Sequence, residues 1–488
     1  MALVTAFSCV ERMLGFIYRI FLSRFLGSEG LGLYQVALSV VGLIMTLTCS
    51  GIPITVSRIM TKHSAENNEQ KGFKTVTGGM ILSLILSVPI VLIALLFPKV
   101  FSFLFADDRC YVILKIILPG VIITSVYAVI RGYFWGRKMF FTYSLIELLE
   151  EAVMLVIGVI FILKATDLQG GIIGASNAVL ISYIFSFVTA TALYFLRGGK
   201  IKSPKGELKP LISSATPITL MRTATSLINT LIAIILPLRL VASGVSQSVA
   251  LAGFGELSGM SIPLIYIPST LKGSIALVLV PELAQNFYNK NLVTLKNNVE
   301  KAVKCSVFIS TLIIPLFISM GREIGALIYN NLDAGEYVAN ASFIMFPMSI
   351  SLITTSMLNS LNLEKKTLKY YLFGAVLLIA SIWFLPKYVG VYSLVIGLLL
   401  SYVITACFNL SLICKTCKIP PKFSVFIIAS LIFIVPSTLL AFLLNGLLNK
   451  VVSSVISIII TSIVTVAFTY AFYRVFDLLS IKELLNKR

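Results

Sequence analysis

Long apolar stretches recur along the whole chain, and the connectors between them alternate in charge. About fourteen stretches reach the roughly 20 apolar residues that a bilayer span needs. Membrane-barrel strands are about half as long and alternate in hydrophobicity, so a barrel is excluded. With 58% hydrophobic and 12% charged residues, the chain lacks the polar surface that covers a soluble globule. The sequence therefore predicts an all-α polytopic membrane protein with about 14 transmembrane helices.

Hydropathy and length predict the position of each span. The spans cover residues 3–25, 34–57, 78–97, 111–134, 144–164, 172–196, 210–237, 258–281, 302–320, 337–361, 369–386, 389–414, 423–444 and 451–473. The first stretch contains Glu11, Arg12, Arg19 and Arg24, so it does not have the uninterrupted apolar core of a cleavable signal peptide.

The distribution of basic residues predicts the orientation. Most of the 39 Lys and Arg residues fall in the connectors after even-numbered spans or in the C-terminal tail. Because cytoplasmic connectors are enriched in Lys and Arg, both termini are predicted in the cytoplasm and the protein in the cell membrane. The net charge of +19 then follows from topology, and no nucleic-acid partner is expected.

A weak internal repeat predicts two lobes. Arg12 in span 1 and Arg222 in span 7 lie at similar depths, and Gly30–Tyr34 in the connector before span 2 corresponds to the glycine-rich approach to span 8. Six spans separate the copies, so the repeats are parallel and related by an axis along the membrane normal. The expected organisation is an N-lobe at 1–197 (spans 1–6), a cytoplasmic linker at 198–209, a C-lobe at 210–414 (spans 7–12), spans 13 and 14 within 415–473, and an amphipathic cytoplasmic tail at 474–488.

Charged residues inside the spans are the candidate site. Each costs roughly 2.5–3.5 kcal/mol at the bilayer centre, so each needs a partner or a water-filled cavity. Arg12 and Arg19 share a helical face in span 1, and Arg222 lies on a polar face of span 7. This pattern predicts a central cleft whose arginines bind phosphate oxygens through their planar guanidinium groups. The alternative is that these arginines snorkel to headgroups or pair with Glu11 and Glu256.

Three further positions complete the set of candidates. Lys272 lies in span 8 after two prolines, Pro263 and Pro268, that are expected to break the helix and free backbone groups. Arg131 lies near the cytoplasmic end of span 4, where it is either a ligand or a topology anchor. Glu150 opens span 5 with Glu147 and Glu151; these carboxylates either pair with Arg131 or Arg137 or bind a coupling cation. Glu256 is the other candidate for the cation site.

Cysteine and histidine predict neither a metal site nor a cofactor. Cys414 and Cys417 form a CxxC pair, but zinc needs two more ligands and His63 is the only histidine. The chain also contains no phosphate-binding GxxxxGK[ST] loop, so no nucleotide-driven transport is predicted.

Several motifs resemble the stage V sporulation protein B group. Arg12–Phe16 with Arg19 and Arg24 is similar to the opening signature of that group, and Leu26–Tyr34 continues it. The resemblance runs to about residue 285 through Gly51–Ile54, Arg131–Phe134, Glu150-Glu151, Gly255–Gly259 and Val280-Pro281. The chain departs from the group in having Arg58 where lysine is common, Glu151 where glutamine is expected, and Lys272.

The resemblance implies a V-shaped fold like that of the multidrug and toxic-compound extrusion (MATE) proteins, working by alternating access. It also implies a flippase for undecaprenyl-diphosphate-linked sugars, with the peptidoglycan precursor for the spore cortex as the expected substrate. The group is similar to members of the multidrug/oligosaccharidyl-lipid/polysaccharide exporter superfamily, in which an arginine matching Arg12 lines the central cavity. The expected partners are the lipid-linked sugar, membrane lipids, a coupling cation and peptidoglycan-synthesis proteins. The alternatives are a cation-coupled multidrug antiporter and a membrane-embedded glycosyltransferase or polymerase.

Overall fold

The computed structural model describes residues 2–66, 68–102, 104–289, 291–417 and 423–476. Every regular element in these ranges is helical, which confirms the all-α prediction. The chain forms two compact units, Met1–Gly255 (unit 1) and Glu256–Arg488 (unit 2). The lobe boundaries inferred from the internal repeat stay a prediction. The predicted tail helix at 474–488 lies outside the described residues beyond position 476.

Unit 1 contains nine α-helices within its described residues. They are α1 (Ala2–Cys49), α2 (Ile52–Ala65), α3 (Glu69–Leu96), α4 (Pro98–Ser102), α5 (Arg109–Gly136), α6 (Phe140–Lys164), α7 (Leu168–Leu196), α8 (Leu208–Ala242) and α9 (Gln247–Phe254). A π-helix (Gly255–Ser261) begins at the last residue of unit 1.

Unit 2 continues from the π-helix with nine more α-helices in its described part. They are α10 (Ile262–Tyr288), α11 (Leu292–Tyr329), α12 (Leu332–Ala341), α13 (Met345–Ser360), α14 (Glu364–Phe384), α15 (Pro386–Val389), α16 (Tyr392–Cys417), α17 (Phe423–Leu448) and α18 (Ser454–Val475), with a 3-10 turn at Ser342–Ile344.

Twelve of the described helical segments are long and apolar enough to cross a membrane. Two features account for the difference from fourteen predicted spans. The segment Ala6–Ala65 counts once, although a break divides α1 into two helices. The 25-residue α6 carries Glu147, Glu150 and Glu151 in its first half, which makes it too charged to count by composition. The polytopic architecture is therefore confirmed, with fourteen as an approximate number.

The expected loop between spans 1 and 2 is wrong. Helical backbone continues on both sides of Gly27, which alone has a non-helical conformation at φ 67° and ψ −176°. A positive φ of this kind is open to glycine at little cost. The sequence Gly30–Tyr34 is helical and not a loop, and Gly32 lets this helix pack closely against the start of the π-helix region. A Cβ atom at Gly32 would collide with the backbone of Leu251.

The expected helix break at Pro263 and Pro268 is also wrong. Pro263 occupies the first turn of α10, where its missing N–H costs nothing. The helix then continues through Pro268, as spanning helices often do because neighbouring groups satisfy the freed carbonyl. The irregular backbone lies earlier, in the π-helix at Gly255–Ser261.

Helix α5 lies at the centre of unit 1 and packs against α1, α2, α3 and α7. Its buried face includes Tyr133 and Phe134, and the ring of Tyr133 meets that of Tyr194 edge-on at 4.8 Å between centroids. At Gly132 the helix approaches Pro53 so closely that a Cβ would lie 2.9 Å from the proline Cα. Close packing against these four helices fixes the position of α5 along its axis and its rotation, and therefore the position of Arg131.

Candidate functional site

Arg131 forms an ion pair inside unit 1. Its Nη1 donates a hydrogen bond of 2.7 Å to Oε1 of Glu147 on α6, and the two side chains are 30% and 22% exposed. The guanidinium carbon also lies 5.1 Å from the ring centroid of Trp135 and 6.0 Å from that of Tyr127. Contacts of this kind attract a cation electrostatically. Of the two partners that the sequence offered for Glu147, the structure therefore selects Arg131.

Three more carboxylates gather around this pair. Glu150 and Glu151 follow Glu147 on α6 at helical spacing, and Glu150 lies beside the hydroxyl of Ser186 on α7. Glu151 reaches α1, where its Oε1 would lie 3.2 Å from a Cβ at Gly15. Glu11 on α1 interacts electrostatically with Glu147 and Arg131. The structure thus brings the predicted residues Glu11, Arg131 and Glu150 into one charged core.

Two buried tyrosines in this core were missed by the sequence analysis. Tyr18 is 4% exposed and Tyr127 is 3% exposed, and neither hydroxyl has a hydrogen-bond partner among the described residues. Tyr18 interacts electrostatically with Glu151, and Tyr127 with Glu150. Gly158 on α6 leaves the space that the ring of Tyr18 fills, but a single glycine in the sequence does not indicate which side chain it accommodates. Only the packing of α1 against α6 shows that Tyr18 and Gly158 meet.

Arg12 and Arg222 are placed differently from Arg131. Both side chains are exposed, and neither forms a salt bridge within the part of the chain that the structure describes. Arg12 interacts electrostatically with its neighbour Glu11. No described contact joins Arg12 to Arg222.

Helix α8, which carries Arg222, is held by contacts on both the N-terminal and the C-terminal side of this residue. Thr230 Oγ1 donates a 2.8 Å hydrogen bond to the carbonyl oxygen of Ser39 on α1. At the other end, Ala215 and Thr219 pack against Gly51, where a Cβ would collide with both. The backbone of α8 is therefore held while Arg222 projects from its exposed side.

The remaining predicted residues lie apart from the charged core. Arg19 is half-buried on α1 and interacts electrostatically with Tyr34. Glu256 lies in unit 2, where it is 9% exposed and accepts a 3.2 Å hydrogen bond from Asn331 Nδ2. Lys272 is in α10, but its side chain lies outside the described residues. Within the described ranges, no three His, Cys, Asp or Glu side chains are grouped to hold a metal ion.

A second polar cluster lies at the opposite end of α5. Arg109 pairs with Asp107 at 2.7 Å and also with Glu29 on α1, and Glu29 accepts a 2.6 Å hydrogen bond from Ser248 in the first turn of α9. Burial alone would raise the pKa of Asp107. Hydrogen bonds from the Arg109 side chain and backbone N–H outweigh burial and lower this pKa from its ordinary value.

A model of the family described as polysaccharide biosynthesis protein matches residues 1–287, which is more than half of the chain. The chain belongs to this family. Stage V sporulation protein B of Bacillus subtilis (strain 168) is 26% identical over 350 residues, which cover 69% of this chain and about two thirds (67%) of that protein. The resemblance to the stage V sporulation protein B group is therefore confirmed.

Solved structures show that this member of the polysaccharide biosynthesis family has a MATE-like fold. The lipid II flippase MurJ in an inward closed conformation aligns with a TM-score of 0.70 at 14% identity, covering 97% of this chain and 99% of that one. An inward-facing multidrug resistance MATE family transporter aligns with a TM-score of 0.69 at 17% identity, covering 84% and 96%. The fold class is confirmed by these two likenesses.

Proposed function

We propose that the chain is a flippase that moves undecaprenyl-diphosphate-linked sugars across the cytoplasmic membrane by alternating access. The observation that carries this proposal is the difference between its intramembrane arginines. Arg131 is paired with Glu147, whereas Arg12 and Arg222 are exposed and form no salt bridge among the described residues. A spanning helix that keeps an arginine without an ion pair is suited to an anionic ligand.

The ligand chemistry follows from the guanidinium group. Its planar array of N–H donors matches two phosphate oxygens at once, and such charge-assisted bonds are the stronger ones. Arg12, Arg19 and Arg222 would hold the diphosphate, while the prenyl tail stays in lipid. A relative named stage V sporulation protein B supports a peptidoglycan precursor for the spore cortex as the substrate, with other polysaccharide units as the second choice.

The charge distribution supports the orientation. Basic residues concentrate in alternate connectors, which places both termini in the cytoplasm and the linker at 198–209 on the same side. In this arrangement the lobes are 1–197 and 210–414, and peptidoglycan-synthesis proteins are the expected partners. Lys272 and Glu256 remain candidate contacts in the second lobe.

The energy source we propose is the membrane potential or a cation gradient. One charge moved across 100 mV is worth about 2.3 kcal/mol, enough to bias a conformational cycle. Glu11, Glu150 and Glu151 outnumber the one paired arginine in the charged core, so this core is the candidate for a proton or another monovalent cation.

The test is flipping of lipid-linked sugars by purified protein in liposomes, with and without an imposed potential. Arg12→Gln and Arg222→Gln should each slow flipping by roughly tenfold or more, because each removes a charged hydrogen bond of about 1.5–3 kcal/mol. Lys115→Gln is the matched control, since Lys115 is also an exposed basic residue of a spanning helix. Equal rates in all three variants would contradict the proposal.

The four carboxylates of the charged core, Glu11, Glu147, Glu150 and Glu151, favour a second candidate, a cation-coupled multidrug antiporter. In that case Glu150→Gln would abolish transport of cationic drugs while both arginine variants stayed active. A membrane-embedded glycosyltransferase or polymerase is the third candidate. It predicts chain extension of the lipid-linked sugar in the same liposomes, which a flippase does not produce.

A further inference from the structure

His63, the only histidine of the chain, lies between two carboxylates. It is 7% exposed near the end of α2. Its Nδ1 lies 3.2 Å from Oε2 of Glu66, and its Nε2 lies 3.3 Å from Oε2 of Glu207. Glu66 belongs to the same end of α2, whereas Glu207 immediately precedes α8. One imidazole ring therefore connects two elements that are 144 positions apart in the chain.

Both contacts cannot be hydrogen bonds when the ring is neutral. An ionised carboxylate only accepts, and a neutral imidazole carries a single N–H. The imidazolium ion carries two, so only the protonated ring donates to Glu66 and Glu207 together. Histidine is the side chain whose charge ordinarily changes within the physiological pH range.

Lys62 and Thr75 also contact the two carboxylates that face the ring. Lys62 lies 3.9 Å from Oε1 of Glu66, and Thr75 on α3 donates a 3.4 Å hydrogen bond to Oε2 of Glu207. Among the described residues, the ion pairs of this cluster are those of His63 with the two glutamates and that of Lys62. Glu207 makes no capping hydrogen bond to α8 with its side chain, so its carboxylate is committed to His63 and Thr75.

The linker that precedes α8 contacts α3 within unit 1. The backbone N–H of Lys202 donates a 3.1 Å hydrogen bond to Thr77 Oγ1, and Gly78 on α3 packs against Pro204 and Leu208. The contact to Glu207 is the last one before α8 begins. Helix α8 carries Arg222, so a contact that holds the first residues of α8 also helps to position this arginine.

We infer that His63 is a pH-dependent positioning residue, which ties the start of α8 to the end of α2 when its ring is protonated. At lower cytoplasmic pH the tie is complete. At higher pH one of the two carboxylates faces a ring nitrogen without a proton, and the linker before α8 loosens. The link to transport rests on the proposed role of Arg222, whereas the tie itself does not.

Hydrogen–deuterium exchange of the linker tests the tie directly. The full-length protein in detergent is compared at pH 6.0 and pH 8.0, with each rate corrected for the intrinsic pH dependence of exchange. We expect the amides of residues 200–211 to exchange roughly threefold to tenfold more slowly at pH 6.0, since a charged hydrogen bond is gained. His63→Gln should remove this difference.

Two alanine variants make the test specific, because they predict opposite outcomes. Glu207→Ala removes the tie, so exchange should be fast at both pH values. Glu66→Ala removes the competing acceptor, so the neutral ring can place its single N–H on Glu207 and exchange should be slow at both. The absence of a pH difference in the wild-type protein, or its persistence in both variants, would overturn the inference.

Transport is measured in the same variants. Flipping by the wild-type protein should change between pH 6.0 and pH 8.0, and flipping by Glu66→Ala should lose that change. If exchange behaves as expected but no lipid-linked sugar is flipped at any pH, the proposed function fails and the tie stands. If flipping is robust but exchange does not depend on His63, the inference fails and the proposed function stands.

Discussion

The charged core of unit 1 and the contact between α17 and α18 in unit 2 use polar residues in opposite ways. In unit 1 a cation–carboxylate pair, Arg131 and Glu147, lies among further carboxylates and two tyrosine hydroxyls that have no hydrogen-bond partner in the described structure. In α18 the buried polar residues recur every four positions and are all neutral: Ser457, Thr461, Thr465, Thr469 and Tyr473. Charges in a bilayer are expensive and mark function, whereas neutral polar groups are cheap and mark packing.

The neutral contact has the features of a helix-packing surface. Thr469 donates to Ser437 at 2.8 Å and Tyr473 to Ser430 at 2.7 Å, both across to α17. Small hydroxyl side chains let the backbones approach while each hydrogen bond adds little energy. The contact therefore accounts for packing alone. The charged core has more carboxylates than positive groups, which is why we propose it as the cation site.

The largest effect is expected where a charge loses its partner. Glu147→Gln should destabilise the protein by roughly 3 kcal/mol, because Arg131 is left without its counter-charge. Glu151→Gln is the matched variant on the same helix, and it should be neutral or stabilising since Glu151 forms no ion pair among the described residues. Thermal unfolding in detergent measures both.

Restoring neutrality sharpens that prediction. The double variant Arg131→Gln with Glu147→Gln should recover much of the lost stability, because no uncompensated charge remains. If Glu147→Gln and Glu151→Gln melt at the same temperature, the ion pair does not stabilise unit 1 and the contrast with unit 2 loses its basis.

A smaller effect is expected in the neutral contact. Thr469→Val removes the hydrogen bond to Ser437 and should cost about 0.6 kcal/mol, the average for hydrogen bonds inside membranes. Thr461→Val is the same change two turns earlier, where the buried hydroxyl has no partner in the described structure. That variant should be neutral or slightly stabilising. A larger loss from Thr461→Val than from Thr469→Val would be the wrong order for a packing surface.

The smallest effect is expected at Asp107, outside the spanning helices. Its pKa is lowered in the folded state, so its carboxylate stabilises the fold above about pH 4 and this contribution is lost as the pH falls through the lowered pKa. Asp107→Asn should therefore flatten the loss of stability in acid, by less than about 1 kcal/mol because the site is partly exposed.

Asp108→Asn provides the control for this acid profile. Asp108 is exposed at the start of α5, and its side chain makes no capping hydrogen bond. Unfolding followed from pH 6 downwards should give the wild-type curve for Asp108→Asn and a flatter one for Asp107→Asn. Identical curves for the two variants would mean that the pair with Arg109 contributes nothing in acid.

Sequence alone was sufficient for the class of fold. Hydrophobicity is a local property, so the apolar stretches, their approximate number and the intramembrane charges were all visible before any contact was known. The same local reasoning failed at Gly27, where a loop was predicted, and at Pro268, where a helix break was predicted. The chain is helical on both sides of each residue. Whether a glycine or proline interrupts a spanning helix depends on the neighbours that satisfy its backbone.

The partners of the charged residues were decided by tertiary structure. Sequence offered Glu147 two arginines and gave no preference; α5 and α6 place Arg131, and not Arg137, at 2.7 Å. It gave no sign that His63 meets Glu207 or that Tyr18 lies beside Glu151. A charge in a sequence states only that a partner is required. Which partner it finds depends on how two helices, distant in the chain, are rotated and packed against each other.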